Sequence, residues 1–208
     1  MTLGIFGFRT GRLHVVPVAL LVLFSLSGSA RAQEQGAWVG TWATAPVLLP
    51  PPGDGAQGGP GADSVRIADQ TVRQIIHTSI GGSSVRVALT NLFGSEPLEI
   101  GAAHVALRDG DAAIDTSAGA ALRFAGMSSV TVAPGAMVVS DAVELGVPAL
   151  ADLVIDLYVQ GDSASGTGAT VHGTGLTTNY LSPAGDHTGV ADLPVEQTFQ
   201  SWFYLSRV

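Results

Sequence analysis

The stretch QTVRQIIHTSIGGSSVRVALTNLFG, Gln70 to Gly94, decides the fold. Val72, Ile76 and Ile80 share one parity against Arg73, His77 and Ser79, and after Gly81-Gly82-Ser83 the residues Val85, Val87 and Leu89 alternate with Arg86, Ala88 and Thr90. Alternation at period two is the mark of a strand with one buried and one wet face. The expectation is a β-hairpin whose turn uses Gly81 and Gly82 for the positive φ that tight hairpin turns require. A lone hairpin is marginal in water, so partner strands must come from elsewhere in the chain.

Upstream, Arg9 and Arg12 precede an apolar run from Val15 to Leu26 and the small residues Ser27 to Ala30, with Ala32 closing a small-x-small site. That pattern predicts a secretory signal peptide over residues 1–32. A membrane anchor is the rival reading, but it needs about 20 apolar residues, and this run is interrupted by Pro17. The mature chain, 33–208, is expected to be one domain outside the cytoplasm. It has no cysteine, so its stability must come from burial rather than crosslinks. All nine basic residues are Arg, and only six of them follow the leader to offset 17 acids. An acidic chain without basic clusters argues against nucleic acid or an anionic membrane surface as partner.

Trp38 to Ala45 is β-prone and reads as the first strand, stopped by Pro46; residues 48–64, rich in Pro and Gly, read as an exposed loop. Beyond the expected hairpin, Leu98 and Ile100 have one parity while Val105 and Leu107 have the other, which predicts a β-bulge near Gly101. Leu122 to Phe124, Val130 to Val132 and Met137 to Val139 read as short strands, with a turn at Pro134-Gly135. Val147 to Leu150 suggests one helical turn. Asp152 to Gln160 is the cleanest strand, with Leu153, Ile155, Leu157 and Val159 inward against Asp152, Asp156 and Gln160. Gly161 to Gly168 reads as a loop, and Leu176 to Leu181 and Ser201 to Leu205 as strands. No segment after the leader has a helical period and no internal repeat is detectable. Many short strands without helices predict an all-β antiparallel β-sandwich, jelly-roll-like in type.

Gly161-Asp162-Ser163 spells the nucleophile signature of GDSL, or SGNH, ester hydrolases. A catalytic serine of that kind sits at a strand-to-helix turn, with an oxyanion hole and a histidine held by a carboxylate. Ser163 is followed by Ala164-Ser165-Gly166-Thr167-Gly168, which would not hold a helix, and no Asp stands three residues before a His. Asp186 and His187 are adjacent, which points their side chains apart in an extended segment. Ser163 therefore reads as a loop residue. His77, His104 and His172 are scattered, without metal-ligand spacing, and read as polar residues of wet strand faces. Trp38, Trp42 and Trp202 have the chemistry to stack on a sugar, although a Trp within a strand more often fills a core. Asn91 reads as a turn cap. No catalytic, metal or cofactor-binding residue is assigned, and Trp38, Trp42, His77, Asn91 and His172 stand as candidates for ligand contact.

The segments Trp38 to Pro46, Gln70 to Gly82, Val85 to Arg108, Ala149 to Asp162 and Ser201 to Ser206 closely resemble the N-terminal region of secreted bacterial SGNH/GDSL-type esterases. The resemblance covers nearly all of the mature chain. It implies a β-sandwich module preceding a hydrolase domain, which would begin shortly after the Ser-Trp-Phe strand and carry the true Gly-Asp-Ser and Asp-x-x-His blocks. Gly161-Asp162-Ser163 falls in a loop of the module, so no catalytic residue carries over. The implied parent reaction is cofactor-free hydrolysis of an acyl ester, on carbohydrate or lipid, through a serine acyl-enzyme. The chain is thus expected to be a non-catalytic module, whether a truncated product or a protein of its own, with the hydrolase domain as its partner in cis. The alternatives are an autonomous carbohydrate-binding module and a small esterase with an unrecognised site.

Overall fold

Ten consecutive residues, Ala68–His77, form a strand that is buried on both faces from Gln70 to Ile76, so the most β-prone part of the organising stretch lies at the middle of the protein. The computed structural model describes residues 1, 37–49, 65–162 and 168–208, and the compact unit is Trp38–Val208. Residues 2–32 of the expected leader and most of the Pro/Gly-rich loop lie outside the described residues, as does Ser163.

Every described strand pairing is antiparallel. The large sheet runs β13 (Gln197–Phe199), β12 (Asn179–Ala184), β2 (Ala68–His77), β10 (Asp152–Asp162), β5 (Leu98–Arg108), β6 (Ile114–Ala121), with β7 (Val130–Val132) also against β5. Three smaller sheets complete the described residues. They are β1 (Val47–Leu49) with β11 (Ala169–His172) and β14 (Trp202–Phe203); β15 (Leu205–Arg207) with β4 (Ala88–Thr90) and β8 (Met137–Val139); and β3 (Gly82–Val85) with β9 (Val143–Val147). One apolar cluster joins them: Val72, Ile76, Val105, Ile155 and Leu157 of the large sheet pack with Leu89, Val171, Phe203 and Leu205 of the smaller ones. Each such side chain contributes roughly 1.5–3 kcal/mol by leaving water. The fold is the expected all-β antiparallel sandwich.

The expected hairpin is absent. After β2 the chain leaves the large sheet, and β3 and β4 pair in two different small sheets, with β9 and with β8 and β15. Neither Gly81 nor Gly82 has a positive φ. Gly81 is needed for another reason: a Cβ there would lie 2.4 Å from the Val147 carbonyl oxygen and 2.8 Å from the Ala149 nitrogen. The glycine admits a neighbouring backbone rather than a turn. Ile80, expected inward, is exposed.

Other boundaries shift for local reasons. Residues 38–46 run beside the C-terminal strand, with hydrogen bonds from Thr41 and Trp42 to the Val208 carbonyl, but only Ala43 makes a ladder bridge. Strand β1 instead follows Pro46, with Leu48 and Leu49 inside the expected loop. Val147 ends β9, and Leu150, at φ 57°, ends the expected helical turn before it forms. Leu122 and Phe124 are buried without being a strand, because left-handed Ala125 and Gly126 fold the chain back so that Phe124 bridges Met127. The strand expected from Leu176 begins at Asn179, and β10 runs on through Gly161 and Asp162. Ser201 to Leu205 is two strands, since Tyr204 at φ 59° sends Trp202-Phe203 to one sheet and Leu205 to another. The bulge near Gly101 is present: Tyr158 faces Ala102 and Val159 faces Ile100, leaving Gly101 as the extra residue. Strands β7, β8 and β10 lie where expected, and β6, β9, β11 and β13 are additions.

Candidate functional site

Strands β2, β10 and β5 are neighbours, and their register aligns side chains in rows across the outer face of the large sheet. In one row Arg73, Asp156 and His104 stand side by side; in the next, Ile75, Val154 and Ala106; at the sheet's end His77 faces Asp152, and Arg108, the last residue of β5, reaches Asp152 through its side chain. The middle row packs with Ile114, Tyr180 and Leu193 into a small second core. It separates two polar groups of opposite character.

The inner group is closed. Arg73 and Asp156 make a two-pronged pair, Nε to Oδ1 and Nη2 to Oδ2, both at 2.8 Å, with neither side chain exposed. The remaining Arg73 protons go to the carbonyls of Ala112, Val190 and Ala191, and the Gly189 N–H donates to Asp156 Oδ2 at 2.9 Å. The segments around residues 112 and 190 are thereby strapped over the sheet. A buried charge pair is tolerated only when its spare donors and acceptors are satisfied in this way. Reading Arg73 and Asp156 as wet-face residues is therefore corrected: the strands are central, and loops cover what would otherwise be their solvent face. His104, half-buried beside the pair, has its pKa pushed down by burial; the Asp156 charge opposes that shift and the Arg73 charge adds to it.

The outer group is open. Asp152 Oδ1 meets His77 Nδ1 at 2.8 Å, and Oδ2 accepts from Arg108 Nη1 at 3.0 Å. Burial works against the Asp152 carboxylate, but hydrogen bonds from His77 and Arg108 outweigh it and hold its pKa below the ordinary value. These three residues line a cleft of about 300 Å³ together with Asp111, Thr177, Thr178 and Tyr180. Buried Ile75 and exposed Leu176 complete the lining. Such a volume is at the low end of small-molecule sites.

The candidates for ligand contact separate. His77 lines the cleft. Trp38 is half exposed, beneath the Arg86 guanidinium at 4.3 Å. Trp42 meets Trp202 edge to face at 5.1 Å, and His172 stacks on Trp202 while its Nδ1 contacts the Ala45 carbonyl. The three tryptophans therefore form no common platform. Asn91 is buried, and its Nδ2 donates to the carbonyls of Glu96 and Val132. Arg108, Asp111, Asp152, Thr177, Thr178 and Tyr180 are cleft residues that the sequence did not single out. The available signal was that His77, Asp152 and Arg108 each stand at a strand end; the strand order that makes them neighbours is not local information.

Among the described residues no cluster of His, Asp and Glu could hold a metal ion, and no helix is long and apolar enough to cross a membrane. Compared with known proteins, the chain matches no family model and no curated protein.

Proposed function

We propose that the chain is an exported β-sandwich module of an SGNH/GDSL-type ester hydrolase, contributing a scaffold and no reacting group. The observation that carries this reading is the internal engagement of four polar side chains of the resembling segments, Arg73, Gln74, Asn91 and Trp202. Arg73 is fixed by Asp156 and three carbonyls. Gln74 spans the sandwich, donating to the Phe203 carbonyl at 3.1 Å and accepting from the Phe203 N–H at 2.5 Å. Asn91 caps two carbonyls, and Trp202 Nε1 donates to the Ile75 carbonyl at 2.8 Å. Side chains fully committed to internal bonds stabilise a framework; a catalytic serine, histidine or oxyanion donor must keep a hydrogen-bonding position open to substrate.

In the parent reaction a serine of the hydrolase domain would attack the ester carbonyl and release the alcohol, and water would then cleave the acyl-enzyme. This module would pack beside that domain. The coding sequence after the Val208 codon tests the reading: a hydrolase frame with Gly-Asp-Ser and a later Asp-x-x-His is expected. The hydrolase domain expressed without the sandwich should lose thermal stability while retaining turnover of p-nitrophenyl acetate. An unrelated reading frame there would overturn the assignment.

A further inference from the structure

We infer that the cleft at the end of β2, β10 and β5 binds one sugar residue of a neutral glycan. The inference does not rest on the module reading, since a stand-alone domain would carry the same cleft.

The groups facing the cleft combine donors and acceptors at close quarters. Arg108 contributes one Nη1 proton to Asp152 and its Nε to the carbonyls of Gly110 and Asp111, which leaves its Nη2 protons for a ligand. The second ring nitrogen of His77 is likewise uncommitted. The Tyr180 hydroxyl has no hydrogen-bond partner among the described residues and is not sealed from solvent, although the residue is largely buried. Thr177, Thr178 and Asp111 are the further polar residues of its lining. A ligand matched to both kinds of group must itself carry both, as vicinal hydroxyls do. Two carboxylates, Asp111 and Asp152, against one guanidinium and one titratable imidazole disfavour a phosphate or carboxylate ligand. Leu176, which is exposed at the cleft, offers apolar surface to the C–H face of a sugar ring.

Backbone strain is the second, independent observation. Thr174 and Leu176 are both held in the left-handed region, at φ 58° and 53°. Such conformations are unfavourable for residues with a side chain and persist only where the surroundings enforce them. Here Gly175 enforces them: its N–H donates to the Gln200 carbonyl at 2.6 Å, and a Cβ on it would lie 2.8 Å from the Trp202 ring. Leu176 itself gains no burial from its strained backbone, since it is 81% exposed. That backbone holds an apolar side chain out at the cleft, and a bound sugar ring gives that placement a use.

The test is saturation-transfer NMR of the full chain with glucose, galactose, xylose and N-acetylglucosamine, with glucuronate and inorganic phosphate as anionic arms. Saturable signal from at least one neutral sugar is expected, without binding of phosphate. Tyr180→Phe and Thr178→Val should each weaken it about fivefold, the effect of one ~1 kcal/mol hydrogen bond, with Asp111→Asn as a surface variant whose fold is not at stake. No saturable signal from any neutral sugar would overturn the inference, as would binding of phosphate alone or sugar binding unchanged in all three variants.

Discussion

Arg73 and Asp156 face each other across the two central strands, joined by two 2.8 Å hydrogen bonds and wholly shielded from water. The pair ties the sheet to the segments that cover it, because Arg73 also reaches the carbonyls of Ala112, Val190 and Ala191. Arg73→Met leaves a buried carboxylate without its partner and should cost about 3–5 kcal/mol. For a domain of this size that corresponds to roughly 2–4 °C of Tm per kcal/mol. Arg73→Met combined with Asp156→Leu removes both charges, so the double variant should unfold at a higher temperature than Arg73→Met alone. A double variant no more stable than the single would contradict the role given to the pair.

His104 makes the same region sensitive to acid. Burial holds its pKa below the ordinary 6.5, so in the window between the two values the unfolded chain binds more protons than the folded one. Stability then rises with pH through that window and is lost on acidification below the ordinary value. Urea titrations at about pH 7.5 and about pH 5.5, either side of an ordinary histidine, should show a larger loss for the native chain than for His104→Gln.

Gly81 and Gly82 should respond in opposite ways to the same substitution. Gly81→Ala forces a methyl group against the backbone of Val147 and Ala149, which has no flexible end to move aside, and should cost about 1–3 kcal/mol. At Gly82 the nearest atom to a new Cβ is 3.7 Å away and φ is not positive. Gly82→Ala should stay within about 1 kcal/mol of the parent, on the stabilising side. Thermal unfolding of the two variants separates close backbone approach from a hairpin turn, which would penalise both.

Asn91 tests a buried cap. Asn91→Ala abandons the Glu96 and Val132 carbonyls, and a buried acceptor without a donor costs about 1–3 kcal/mol. Hydrogen exchange should rise first at the amides of Ala136 and Gly135, which bond within and around this turn.

Strand identity was legible wherever period two was strong, as in β10, and so was the Gly101 bulge, because a phase change within one strand is a local signal. Pairing was not. Val72 and Ile76 announce a strand, but nothing near them says that its neighbours are β10 and β12, more than 75 residues away along the chain. The error over the hairpin followed from this, and so did the error over Arg73. Alternation predicts a wet face only if nothing covers it, and the covering segments belong to residues 109–114 and 185–193. Of the cleft, only His77 was named in advance, since Asp152 and Arg108 become partners through strand order. Tyr204 shows the same limit: its left-handed φ divides one apolar run between two sheets.

Assaying the chain alone tests most directly the proposal that it is a scaffold module without a reacting group of its own. Purified chain incubated with p-nitrophenyl acetate and butyrate should release p-nitrophenol at the rate of buffer containing the heat-denatured protein. Saturable turnover that is abolished by Ser163→Ala or by a serine-directed fluorophosphonate would contradict it.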